Sequence, residues 1–125
     1  AAVADFKINN QSKNKIKKHD NLTLSLEKNI DILNYVSNHN SMRPKLVIGF
    51  AAETNNLEEN AVDKLKNKNC DMIIANDVSD QNIGFNSDFN EVTIFYKNKK
   101  KEKLFAKNKS LISEEIVERV CNQLN

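Results

Sequence analysis

Two short apolar runs, Lys45–Phe50 and Asp71–Ala75, flank a segment in which Leu57, Ala61 and Leu65 recur at helical spacing. Each run is short and bounded by polar residues, so each reads as a buried strand. Asn55 with Glu58 three residues on forms a capping-box pattern, which predicts a helix over Asn56–Lys68. Strand, helix, strand is the crossover unit of a parallel sheet. It constrains the fold more than any other feature here, because parallel strands need a long crossover and cover on both faces.

The remaining elements fit around that unit. Ala1–Ala4 read as the end of a buried strand that stops at Asp5, and residues 6–21 are polar and basic without clear periodicity. Leu22, Leu24 and Leu26 alternate with polar residues and predict a half-exposed strand. Asn29 is placed to cap a short helix over Ile30–Asn38, with Ile30, Leu33 and Val36 facing inward. The second buried strand ends at Asn76-Asp77, and a loop with Gly84 follows. Glu91–Tyr96 and Lys103–Phe105 predict a hairpin around a lysine-rich segment. Ser113 is placed to cap a last helix, with Ile116, Val117, Val120 and Leu124 inward.

Composition narrows the function classes. The 125 residues suffice for one domain and one modest core, with 39% hydrophobic and 29% charged residues. A net charge of +2 is small for a dedicated nucleic-acid binder. Two basic clusters, Lys13–Lys18 and Lys97–Lys103, each read as a solvated loop, and the Asn and Lys bias matches AT-rich coding DNA. Cys70 and Cys121 are too few and too separated for a disulfide framework or a metal site, and His19 and His39 lack ligand spacing. Both cysteines read as reduced residues of a cytoplasmic protein. No signal peptide and no apolar run of about 18 residues appears, so no membrane role is expected. The chain opens inside an apolar segment without Met, which reads as a fragment of something longer.

Ligands of open α/β sheets bind at the carboxyl ends of the strands. Three predicted strand ends carry polar or special residues: Asp5, Gly49-Phe50 and Asn76-Asp77. They either line a site or only terminate strands, as Asn, Asp and Gly often do. Gly49 would let the backbone leave the strand. Phe50 would lie at a rim against a flat ring, or pack in the core. Lys64 and Lys68 share a helix face and could meet a polyphosphate or simply be solvated. No Gly-rich phosphate loop is present.

An ordered set of motifs resembles bacterial phosphopantothenoylcysteine synthetase, the ligase domain of coenzyme A biosynthesis. The set comprises Ala1-Ala2-Val3-Ala4-Asp5, Lys15-Ile16-Lys17-Lys18, Leu22-Thr23, Lys28-Asn29 with Asp31-Ile32, Arg43-Pro44, Gly49–Asn55, Ala75–Val78 and Gly84–Asp88. The resemblance implies an α/β fold: a Rossmann-like, mostly parallel sheet with helices on both faces and a C-terminal antiparallel hairpin. Residues 1–125 would be the C-terminal portion of the domain, with an arm over about 6–28 and the first βαβ unit missing. The implied reaction joins 4′-phosphopantothenate to cysteine through an acyl cytidylate made from CTP, with Mg²⁺ on the triphosphate. FMN would belong only to a fused decarboxylase domain. A homodimer, and a partner supplying the missing N-terminal half, are also implied.

Site residues follow position by position. Ala1 and Asp5 match the strand end beside the nucleotide. Lys15 matches the arm lysine over the triphosphate and is the expected catalytic residue. Ile30, Asp31, Ile32 and Leu33 match the nucleotide-lining helix start, although the family often has proline where Ile30 stands. Phe50 matches the aromatic of the Gly-Phe-Ala-Ala-Glu-Thr motif, and Lys64 and Lys68 match two nucleotide-contacting lysines. The family's glycine-rich TN-x-SSG-type segment has no counterpart here. A rival expectation is therefore an incomplete or split remnant that only binds nucleotide or serves as a structural module.

Overall fold

The computed structural model describes residues 3–9, 12, 14–17, 23–79 and 87–125. Ala1, Leu22 and Gly84 lie outside the described residues, as do Lys13 and Lys18 of the first basic cluster and His19. The chain divides into two units, Ala1–Ile32 and Leu33–Asn125.

The first unit is built on a two-stranded antiparallel ribbon, β1 (Phe6–Ile8) with β2 (Leu26–Lys28). Phe6 faces Lys28 and Ile8 faces Leu26, and Lys7 forms a 2.9 Å ion pair with Glu27 directly opposite. Asn9 N–H donates to Ser25 O, and Asn29 N–H donates to Asp5 O, which closes both ends of the ribbon. The expected buried strand at Ala1–Ala4 is not found where it can be described. Val3 is 62% exposed and Ala4 lies outside any strand. The strand expected over Leu22–Leu26 is displaced to Leu26–Lys28, and Leu24 and Leu26 are exposed. A two-stranded ribbon has no layer of its own to bury either face.

The second unit carries the core. Helix α1 (Ile32–Ser37) starts two residues later than expected. Asn29 does not cap it; its side-chain amide donates to Ala4 O instead, at 2.6 Å. Ile30 is 76% exposed rather than inward, whereas Leu33 packs on the core. Strand β3 (Ile48–Glu53) leads through helix α2 (Leu57–Asn67) to strand β4 (Met72–Asp77). Strands β5 (Phe89–Tyr96) and β6 (Lys101–Asn108) form the expected hairpin, longer at both ends, and helix α3 (Lys109–Leu124) follows. The sheet order is β3–β4–β5–β6. Only β3 and β4 run parallel within the described sheet; β5 and β6 are antiparallel additions.

Alternation on β4 assembles the two sides of the core. Ile73 and Ala75 join Ala51, Phe95, Ala61 and Leu65 beneath α2. Met72 and Ile74 join Ile94, Leu104 and Ile112 beneath α3. All four β4 residues from Met72 to Ala75 are buried, because helices cover both faces of that strand. Burying an Ile or Met side chain contributes about 1.5–3 kcal/mol, so β4 is the thermodynamic centre of the unit.

Gly49 does not end a strand. It lies inside β3, paired with Ile73, and the strand runs on to Glu53. A Cβ at Gly49 would sit 2.7 Å from Ile73 Cδ1 and 2.9 Å from Leu33 Cδ2. Close approach of α1 and β4, not a turn, therefore demands glycine here. Gly49→Ala is expected to lower unfolding stability by about 1–3 kcal/mol through overpacking. Urea denaturation reads this directly, and an unchanged midpoint would contradict the packing account.

Helix ends depart from expectation. The Asn55/Glu58 capping box does not form: Asn56 precedes α2 in a left-handed conformation, φ 50°, without a side-chain cap. The Asn60 side chain satisfies Asn55 O and Glu53 Oε2 there instead. Helix α3 is capped by Asn108, whose Oδ1 accepts from Ser110 N–H at 2.9 Å. Ser113 is inside that helix, its hydroxyl donating to Lys109 O. Ile112 is the buried residue of α3, Ile116 and Val120 are half-buried, and Val117 and Leu124 are exposed rather than inward.

Arg119 fastens α3 to β6. Its guanidinium donates to Glu102 Oε1 at 2.7 and 3.1 Å and pairs with Glu118 at 2.9 Å, while Tyr96 OH reaches Glu102 Oε2. The hydrogen bond from Arg119 holds the Glu102 carboxyl below its ordinary range. A lowered folded pKa contributes stability that is present above the ordinary carboxylate range and lost as pH falls through the lowered value. The stability gap between the unaltered chain and Glu102→Gln is expected to be widest near neutral pH and to shrink on acidification. A gap independent of pH would remove the ionic contribution.

Candidate functional site

Strand β3 presents an aromatic to solvent. Gly49 and Ala51 point into the core under α2, so Phe50 between them points to the opposite face. Helix α3 packs chiefly on β5 and β6 and leaves the Phe50 ring uncovered. Phe50 is consequently 65% exposed, which removes the core-packing alternative for it.

Helix α2 brings a cation to the same strand. Lys64 Nζ donates to Phe50 O at 2.7 Å, so an ammonium lies against the β3 backbone. Lys68 stands one turn on, as the residue closing α2, with its N–H donating to Lys64 O. Its carbonyl accepts from the hydroxyl of Ser37, a fully buried residue of α1. Lysines in the last turn also suit the negative end of the helix dipole, so both positions have a structural role beside any ligand role.

The support beneath Lys68 is an arginine cluster. Arg43 donates to Ser37 O, Asn69 O and Asp71 Oδ2 at 2.8–3.0 Å, and Asp71 Oδ2 also accepts from Val47 N–H. These bonds tie the end of α1, the α2–β4 turn and the entry to β3 into one unit. In the sequence Arg43-Pro44 is only a motif, because the partners of Arg43 lie too far along the chain to be inferred from spacing.

The three expected strand ends resolve differently. Gly49-Phe50 is mid-strand, and the true end of β3 is Glu53. Asp77 does end β4, but its Oδ1 accepts from both Ser79 N–H and Ser79 Oγ. Those bonds hold its carboxyl below the ordinary range, and they make it a satisfied terminator. Asp5 adjoins the ribbon rather than ending a parallel strand.

In the first unit the ribbon brings Asp5 and Asn29 together, which sets Ile30 and Asp31 next to Asp5. Ile30, Asp31 and Ile32 are exposed. Leu33, in the second unit, is half-buried and packs its side chain against the core beneath α2. Lys15 is exposed on the connection between β1 and β2. Ala1 is outside the described residues. Among the described residues, no cluster of three His, Cys, Asp or Glu could hold a metal ion, and no helix is long and apolar enough to cross a membrane.

A mixed sheet with helices on both faces, an exposed aromatic on its outer parallel strand and a lysine-bearing helix beside it define an α/β domain. The chain belongs to the DNA/pantothenate metabolism flavoprotein C-terminal domain family, whose model matches residues 1–124. It is 43% identical over 124 residues to the coenzyme A biosynthesis bifunctional protein CoaBC of Haemophilus influenzae, covering 98% of this chain and 30% of that protein. Identity to CoaBC of Bacillus subtilis is 40% over 122 residues, covering 97% of this chain and 30% of that protein. The chain thus spans under a third of these relatives. A crystal structure of the C-terminal domain of CoaBC is similar at a TM-score of 0.66 and 35% identity, over 81% of this chain and 45% of that one.

Proposed function

We propose that this chain is the nucleotide-binding portion of a CTP-dependent phosphopantothenate–cysteine ligase of coenzyme A biosynthesis. The observation that carries the reading is that Phe50 exposes its ring to solvent while its carbonyl accepts from the Lys64 ammonium of α2. It occurs in a chain 43% identical to a protein of that pathway.

In this reading the pantothenate carboxylate attacks the α-phosphorus of CTP and the bond to the β-phosphate breaks, releasing pyrophosphate. The cysteine amine then attacks the acyl carbon, expels CMP and loses a proton. Phe50 lies against the cytosine or ribose, and Asp5 accepts from ribose hydroxyls. Ala1 and the Ile30–Leu33 backbone line the base, while Lys64 and Lys68 hold the triphosphate. Lys15 meets the charge that develops at the α-phosphate. Such chemistry depends on positioning and charge neutralisation, which lysines supply. Mg²⁺ would be held by triphosphate oxygens and water rather than by a side-chain cage.

The exposed Phe6, Ile8, Leu24 and Leu26 around the ribbon support a homodimer in which a second copy covers them. FMN belongs to a fused decarboxylase domain. The rival reading is a module that binds nucleotide without turnover. Calorimetric titration of CTP into the chain, followed by a pyrophosphate-release assay with phosphopantothenate and cysteine, separates the two. Binding with turnover once the glycine-rich first half is supplied supports the ligase, and binding without it supports the module. No CTP binding in either form sinks both.

A further inference from the structure

The lysine-rich segment between β5 and β6 is not used by the nucleotide reading. A cavity of about 390 Å³ opens between it and α2. We propose that this groove is a second binding site, for a small organic anion that carries two or more charges on a flat apolar body.

The groove has an apolar floor, formed by Val62 and Leu65 of α2 and by Phe95 of β5. Its rim carries Lys66, Lys97, Lys99, Lys100 and Lys101, against the single carboxylate of Glu58. The volume lies in the range of small-molecule sites, roughly 300–1,000 Å³. Convergence of these ammonium groups on one concavity focuses positive potential there, which complements an anion.

The partners of the rim lysines sharpen the argument. Lys101 pairs with Glu58 at 2.9 Å, Lys97 donates to Asn69 Oδ1, and Lys100 lies 5.6 Å from the centre of the Tyr96 ring. Lys66 and Lys99 have no ion pair or hydrogen bond from their ammonium groups among the described residues. The turn that presents Lys99 is tightly closed. Lys99 adopts a left-handed φ of 68°, its N–H donates to Tyr96 O, and Tyr96 N–H donates to Lys100 O. The backbone that carries Lys99 and Lys100 is therefore fixed before any ligand arrives.

This groove is separate from the nucleotide lysines. Lys66 is two residues from both Lys64 and Lys68, and such residues do not share a helix face. Lys64 turns instead to Phe50 on β3. The assembling signal is the register that sets Lys101 opposite Phe95, which brings the β6 lysine over the apolar floor.

The test uses 1-naphthyl phosphate and inorganic pyrophosphate, each titrated into the chain at physiological ionic strength and followed by amide chemical shifts. Naphthyl phosphate is expected to perturb Val62–Lys66 and Phe95–Lys101, and to bind more tightly than pyrophosphate. The exposed-surface double variant Lys66→Gln/Lys99→Gln is expected to bind it about tenfold more weakly while keeping its CTP affinity. Equal affinity for the two probes overturns the ligand class. Unchanged affinity in the double variant, or shifts spread over lysines outside the groove, overturns the site.

Discussion

Titration of CTP into the Lys64→Ala chain is expected to give an affinity about ten- to a hundredfold below that of the unaltered chain. A hydrogen bond to a charged group contributes about 1.5–3 kcal/mol, and about 1.4 kcal/mol is a tenfold change. Lys64 is the stronger candidate of the two helix lysines because its ammonium is already anchored at Phe50 O, 2.7 Å away. Binding would exchange a neutral carbonyl for a phosphate oxygen at little ordering cost. Lys45→Ala is the control, since Lys45 also donates to a carbonyl, that of Leu124, but has no role in the reading. If both variants weaken CTP equally, the effect is loss of general positive charge and Lys64 has no specific place. Added salt should narrow the Lys64 effect only partly if the contact is shielded from solvent.

The core was legible where local pattern and tertiary demand agree. Met72–Ala75 read as a buried strand because an unbroken apolar run suits a strand covered on both faces. Leu57, Ala61 and Leu65 read as one stripe because only a helix brings them together. Gly49 misled for a physical reason. Ala51, Ala52 and Glu53 have weak strand preference, so the apolar run reads as stopping at the glycine. The strand continues because β4 offers a ladder partner to each of those residues. Its glycine answers to Ile73 and Leu33, whose proximity no local signal reveals. Caps failed similarly: Asn29 spends its amide on Ala4, and Asn108 supplies the cap assigned to Ser113. Of the site, Phe50 and Lys64 belong to different elements, and spacing alone left each with a bland alternative. Resemblance linked them, and the structure joins the two residues through the bond from Lys64 Nζ to the Phe50 carbonyl. Arg43 and the groove lysines depend on contacts across the fold, so neither could be assembled from the chain alone.

Lys15→Ala carries the largest expected loss: turnover about a hundred- to a thousandfold lower, measured by pyrophosphate release with the glycine-rich first half supplied. That is the usual cost of removing one preorganised group from a developing charge. The location of Lys15 makes the loss fall on turnover rather than on binding. It lies on the connection from residue 9 to residue 25, whose base is clamped by the Asn9–Ser25 bond and the Phe6–Lys28 pairing. No described residue between these two strands is in a helix or strand. In the ligase reading, an exposed ammonium on such a connection would contribute little to binding of the resting nucleotide and most to the charge that develops at the α-phosphate. CTP affinity of Lys15→Ala is therefore expected to stay within a few-fold of the unaltered chain, with kcat taking the loss. Lys15→Arg, which keeps the charge on a bulkier head, should recover part of the rate. Affinity and turnover falling in proportion would make Lys15 a binding residue only, and full activity in Lys15→Ala would leave the arm without a role in the chemistry.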